Sequence, residues 1–163
     1  MRVTGTEADA DRALLHCATA HGSEDIEAHL IAWAEGAVSG ENGIVRRDYG
    51  QQAIVATVQT REPPDGMAYE RFTADGPAAL LPLGDRYALV WTVPGSESAD
   101  LLALDERAFL SRLHDIFSGR LDFTAVSDRA AFPLGLRYRE TPVSERAVWL
   151  GNAAQTLHPV AGQ

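Results

Sequence analysis

The chain has 163 residues, 45% of them hydrophobic and 23% charged, which suits one globular domain with an ordinary core. The 14 basic and 23 acidic residues give a net charge of −9, and no basic stripe interrupts that balance, so a nucleic-acid surface is excluded. Cys17 stands alone, which rules out an intrachain disulfide and a cysteine-based zinc cage and points to a reducing compartment.

The opening "MRVTGTEADADRALL" has no apolar core behind a basic end, so it does not read as a signal peptide. No run of about 18 apolar residues occurs. The expectation is a soluble, cytoplasmic protein. Residues 1–30 are weakly patterned. "HLIAWAEG" is a short apolar run ending at an acid–glycine pair, read as a buried strand entering a turn. "QQAIVATVQT", residues 51–60, is β-branched and free of Gly and Pro, and predicts a strand. "MAYERFT" alternates, with Tyr69, Arg71 and Thr73 on one face and Ala68, Glu70 and Phe72 on the other. "AALLPL" and "YALVWTV" follow as strands after short turns, so antiparallel hairpins are expected rather than βαβ crossovers.

One helix is predicted at "LDERAFLSRLHDIFSG". Asp105 is its N-cap, Leu104 and Phe109 form a hydrophobic staple, and Gly119 is the C′ stop. Extended segments follow at "DFTAVSDRAAFPLGLRYR" and "RAVWLGNAA". The order predicts an α+β fold, a mostly antiparallel sheet with a covering helix. Trp91 and Phe132 are read as core.

No G-x-G-x-x-G, P-loop, H-E-x-x-H or G-x-S-x-G occurs. His16, His21, His29, His114 and His158 match no metal or triad spacing, and "HCATAH" is read as a solvated segment, so no metal site is expected. Two stretches stand out. In "AEGAVS" a carboxylate, Glu35, precedes Gly36, which permits close backbone approach; an ordinary strand-ending turn is the simpler reading of it taken alone. In "GNAAQTLHPVAGQ" Gly151 gives a tight exit from a strand, Asn152 places a polar group there, and Pro159 and Gly162 suggest a loop leading into a helix start suited to an anion.

In this order the two stretches resemble the Asp-Gly and Gly-Asp motifs of the flavin-dependent aromatic hydroxylases, the p-hydroxybenzoate hydroxylase superfamily. "RDYGQQAIVATV", "AYERFTADGPAALLPL", "ALVWTVP" and "FPLGL" also resemble its ubiquinone-biosynthesis branch. The form "GNAAQTLHP" is most similar to the 2-polyprenyl-6-methoxyphenol hydroxylases.

The resemblance implies an FAD-domain remnant over residues 1–43, a substrate-binding middle domain over 44–145, and a returning FAD-domain segment over 146–163. It implies FAD, reduced by NAD(P)H, and hydroxylation of a polyprenyl phenol ring in ubiquinone biosynthesis. It also implies contact with other proteins of that pathway and a peripheral encounter with the inner membrane. Glu35, Gly36, Gly151, Asn152, Pro159, Gly162 and Gln163 fall on cofactor motifs. Tyr69 and Arg71 are substrate candidates, because one sheet face lines the active site in that fold; a solvated, salt-bridged face is their plainer reading. Glu35 and Asn152 each replace the family's aspartate, one by a longer carboxylate and one by an uncharged amide. Family members continue beyond both ends of the matching region, so the chain is expected to be a piece, inactive alone. The alternative is a non-catalytic interaction subunit or relic.

Overall fold

The computed structural model describes residues 1–36, 38 and 42–158. The strands are β1 (Arg2–Ala8), β2 (Ala13–Thr19), β3 (Gly22–Ala28), β4 (Ile31–Trp33), β5 (Ile44–Thr60), β6 (Tyr69–Thr73), β7 (Gly76–Leu83) and β8 (Arg86–Pro94). Two helices follow, α1 (Ser98–Ala103) and α2 (Glu106–Ile116). The remaining strands are β9 (Phe123–Arg139), β10 (Val143–Ser144), β11 (Ala147–Trp149) and β12 (Gln155–Thr156), with a single 3₁₀ turn at Gly151–Ala153. The chain divides into two compact units, one from Met1–Arg47 with Leu136–Ala161, the other from Asp48–Gly135.

The second unit is an antiparallel sheet in the order β9-β5-β8-β7-β6 with both helices. Two hairpins, β6–β7 and β7–β8, form as the sequence implied; the link from β5 to β6 is not a hairpin, because β5 pairs with β8 and β6 lies at the far edge. Pairing Ile54↔Trp91, Ala56↔Leu89 and Val58↔Tyr87, then Ala78↔Trp91 and Leu80↔Leu89, aligns one apolar face across three strands. Phe109 and Leu113 of α2 bury completely against that face. Phe109 meets Trp91 edge-on at 5.9 Å, and the Arg129 guanidinium lies 5.1 Å from the Phe109 ring. Burying a side chain of this size contributes about 1.5–3 kcal/mol.

The helix α2 starts where its cap predicts. Asp105 accepts from the Ala108 backbone N–H at 2.8 Å, and Leu104 packs on the cluster that holds Phe109. Its end differs by one residue from the expectation. Ser118, not Gly119, takes the C′ position, at φ 54°. The Ser118 N–H donates to Asp115 and the Gly119 N–H to His114, a two-bond closure of the last turn.

Other corrections concern segments whose apolar pattern is thin. Residues 1–30, weakly patterned in sequence, form the antiparallel sheet β1-β2-β3. A short helix, α1, precedes the predicted one. Trp91 is buried as expected, but Phe132 is exposed, because Ala131 takes the core-facing position beside it.

A left-handed serine carries a conformational cost of about 1 kcal/mol that glycine lacks. Ser118→Gly is therefore expected to raise stability by about 0.5–1 kcal/mol despite losing the exposed Arg71 Nη2 contact to Ser118 Oγ. Urea unfolding checks it: the midpoint should rise with an unchanged slope.

Candidate cofactor and substrate surfaces

The first unit places the two motif stretches together. β4 and β11 pair in parallel, Ile31↔Ala147, Ala32↔Val148 and Trp33↔Trp149. The Ile31 N–H donates to the Arg146 carbonyl and the Leu150 N–H to the Trp33 carbonyl, both at 2.8 Å. Glu35 and Gly36 follow the end of β4, and Gly151 and Asn152 follow the same end of β11. Two segments more than a hundred positions apart thus meet at the carboxyl ends of adjacent parallel strands, where open α/β sheets bind ligands.

Both glycines hold left-handed backbone, Gly36 at φ 72° and Gly151 at φ 51°. A Cβ at either would meet no described atom within 4 Å. Glycine adopts this conformation without strain, and the space above each backbone is open to an approaching group. Glu35 and Asn152 are exposed at these strand ends. Among the described residues neither side chain makes a hydrogen bond within the chain, so an acceptor carboxylate and an amide remain available there. Pro159, Gly162 and Gln163 lie outside the described residues.

The inward side of this small sheet carries Trp33 and Trp149, packed with Ala13, Leu15, Ile31 and Ala147. The Arg139 guanidinium stacks 4.6 Å from the Trp149 ring. A cleft of about 510 Å³ opens beside the two tryptophans, between the end of β1 and the β10–β11 turn. Arg146 at that turn has φ 55° and reaches the carbonyls of Asp9 and His29, each at 3.4 Å.

Tyr69 and Arg71 sit in the second unit on the helix-covered sheet face. Tyr69 is half-buried, edge-on to Tyr87 at 6.0 Å, and Arg71 reaches Ser118 next to the end of α2. Burial pushes the Tyr87 phenol up, with Tyr69 adding to the effect. The opposite face of the β6–β7 edge carries Phe72, Leu81 and Leu83, all exposed. Alternation revealed that Phe72 opposes Tyr69, but only the buried helix shows which face is open.

His16 was read as part of a solvated segment. It stands on β2 opposite Asp25, with Nδ1 at 2.8 Å from the carboxylate and Nε2 at 3.6 Å from Glu7. The Asp25 hydrogen bond raises its pKa most; burial opposes that rise, the charges of Asp25 and Glu7 add to it, and the net pKa lies above the ordinary value. Spacing along the chain gives no sign of this pairing, because the three residues come from three strands. Among the described residues no group of His, Cys, Asp and Glu forms a metal-holding cluster. No described helix is long and apolar enough to cross a membrane.

No protein-family model matches the chain. The ubiquinone hydroxylase UbiL of Rhodospirillum rubrum is 35% identical over 169 residues, covering 99% of this chain and 39% of the relative. The 3-demethoxyubiquinol 3-hydroxylase of Escherichia coli is 32% identical, over 87% of this chain and 38% of the relative. Both relatives are named as hydroxylases of ubiquinone biosynthesis. An uncharacterized Synechocystis protein, slr1300, is 37% identical over 71% of this chain and 28% of its own length. The chain therefore spans about two fifths or less of these relatives.

Solved structures agree on the fold. PqsL of Pseudomonas aeruginosa, in complex with 2-aminobenzoylacetate, superposes with a TM-score of 0.71 at 20% identity, over 99% of this chain and 48% of that one. The flavin-dependent halogenase CmlS gives 0.66 at 22% identity, over 99% and 32%. The mostly antiparallel sheet with two helices is thus a segment of the FAD-dependent hydroxylase fold.

The His16 pairing predicts a pH dependence. A folded-state pKa above the unfolded value stabilises the fold fully below about pH 6.5 and ceases to do so as pH rises through the folded-state value. In urea unfolding, wild type should exceed His16→Gln at pH 5.5 and the gap should narrow by pH 8.5. A gap constant across that range would exclude the ion pair as its source.

Proposed function

We propose that this chain supplies the substrate-covering sheet and part of the cofactor site of an FAD- and NAD(P)H-dependent monooxygenase that hydroxylates a polyprenyl phenol in ubiquinone biosynthesis. The observation that carries the reading is the in-register pairing of β4 with β11, which brings Glu35, Gly36, Gly151 and Asn152 to one end of a parallel sheet. The donor set suits a flavin dinucleotide. Two left-handed glycines give open backbone approach, the exposed Glu35 carboxylate accepts from hydroxyls, and the Asn152 amide both accepts and donates. When bound, the flavin supplies the redox and oxygen-activating chemistry.

The chain's own residues orient and shield. Asn152 holds a hydroxyl of the flavin's sugar-alcohol chain, and Glu35 holds a hydroxyl of the dinucleotide. Pro159, Gly162 and Gln163 are assigned to the loop beside the flavin ring by the family likeness. The apolar tail of the substrate lies along the exposed face of β6 and β7, against Phe72, Leu81 and Leu83. Tyr69 and Arg71 keep a substrate role only by that likeness; their described contacts are Tyr87 and Ser118. Transient contact with the inner membrane and with other enzymes of the pathway follows from the substrate's insolubility.

A chimera tests this. Residues 1–163 replace the matching segment of Rhodospirillum rubrum UbiL, and the product is assayed for flavin absorbance and ring hydroxylation. A yellow, active chimera is expected. Asn152→Ala within it should lower FAD affinity roughly tenfold to a hundredfold, because a buried hydroxyl loses its partner at a cost of about 1–3 kcal/mol. Asn152→Asp should be milder. A folded but colourless chimera would overturn the cofactor role and favour a non-catalytic interaction subunit.

A further inference from the structure

We propose that His16 is a proton-operated latch on β1: protonated, it ties this edge strand to the sheet and closes one wall of the cleft beside Trp33 and Trp149, and deprotonated, it releases the strand. The latch lies within the first unit and is independent of the flavin reading.

A bulge builds the latch. Val3 pairs with Cys17 but Gly5 with His16, so Thr4 is an extra residue in β1. Without it the ladder would run on with Thr4 against His16 and Glu7 against Ala13, and Glu7 would share the buried face of Ala13. With it, Glu7 pairs with Leu14 and shares the outer face with His16. The bulge also sets Gly5, which has no side chain, beneath the imidazole; a Cβ there would stand 3.4 Å from His16 Cδ2. The ring lies across β1 with Nε2 3.6 Å from Glu7, while Nδ1 stays 2.8 Å from Asp25 of β3. Thr4 Oγ1 fastens the bulge by donating to the His16 carbonyl at 3.0 Å.

Protonation acts on the two contacts unequally. An imidazolium donates from both nitrogens and serves both carboxylates. A neutral ring has one N–H, and the short Asp25 contact holds it on Nδ1. Nε2 then turns a lone pair toward the Glu7 carboxylate, and attraction becomes repulsion. β3 keeps Asp25 and also the Arg12–Glu27 pair at 2.6 Å. β1 keeps its backbone ladder and Thr4. Both outer strands are largely exposed, so the one that loses its side-chain tie is the one that opens. The other charged groups on this face are Arg2, opposite Ala18, and Glu27, opposite Leu14 and bonded to Arg12. Neither stands between His16 and Glu7. Thr6, Glu7 and Ala8 line the cleft, so opening of β1 widens it. The latch is engaged below the folded-state pKa of His16, which lies above 6.5, and is lost as pH rises through it.

Hydrogen exchange of the 163-residue chain tests this, read by mass spectrometry between about pH 5.5 and 8.5 and corrected for intrinsic exchange. Protection of Arg2–Ala8 should fall roughly two- to fivefold across that range, the scale of one exposed ion pair, while Gly22–Ala28 and Arg86–Pro94 hold theirs. His16→Gln and Glu7→Gln, each verified as folded by circular dichroism, should remove the dependence. Acrylamide quenching of tryptophan emission should rise over the same range in wild type but not in Glu7→Gln, with the buried Trp91 as a constant background. Three outcomes overturn the latch: β1 protection that does not change with pH, a joint loss over β1, β2 and β3, or a wild-type profile in Glu7→Gln. The first two are read on wild type alone. Constant quenching beside a released β1 would overturn its role at the cleft.

Discussion

Everything specific about the candidate site depends on one short parallel pairing. Two three-residue strands, far apart in sequence, are held in register by their backbone ladder and by the tryptophans they carry inward. A slip of one residue would invert every side chain. Trp33 and Trp149 would turn outward, and Ala32 and Val148 would face the inner cluster. Burying two large aromatic rings on one side therefore fixes the register that the motif stretches need. The apolar core and the polar strand ends are separate parts of the same three residues per strand.

The two units reach stability by different means. In Asp48–Gly135 one continuous apolar face, spanning β5, β8 and β7, is closed by a capped amphipathic helix. In the other unit the fully buried hydrophobic cluster is small, made by Ala13, Ile31 and Ala147 with partly buried neighbours. Much of its holding is polar: Arg12 with Glu27 at 2.6 Å, His16 between Asp25 and Glu7, and Arg146 on two carbonyls. Exposed pairs of this kind are each worth little, with a median of about 0–1 kcal/mol.

What could be read in the sequence follows that division. The strands of the second unit were legible because burial imposes β-branched runs and short turns, and the helix was legible from Asp105 and the spacing of Phe109, Leu113 and Phe117. The start of β5 was missed: "IVRRDYG" is largely exposed and carries no alternation that burial would select. The sheet β1-β2-β3 was missed for the same reason, since nearly all of β1 is exposed. The C′ residue was misplaced because glycine is the ordinary signal for left-handed backbone, and here serine accepts that strain one residue earlier. The glycine motifs were visible as residue types, but their convergence was not. A parallel pairing across a hundred residues leaves no local trace.

The two departures from the family pattern become intelligible once the motifs share a sheet end. Adjacent strands lie about 4.8 Å apart, so acidic side chains following both would stand close enough to repel and to raise each other's pKa. The ordinary pattern carries a carboxylate at each position. Here Asn152 removes one charge while keeping an acceptor, and it adds a donor. Glu35 keeps the other charge on a side chain longer by one methylene, which lets it move away from the strand end at some cost in side-chain entropy. The net effect is one fewer negative charge where a dinucleotide would bring its phosphates, on a chain already at −9. Less repulsion offsets the loss of one charge-assisted hydrogen bond, which is roughly twice as strong as a neutral one. In the proposed cofactor role the substitution pair would preserve hydroxyl recognition while shifting its electrostatics, with Asn152 the position where that balance is decided.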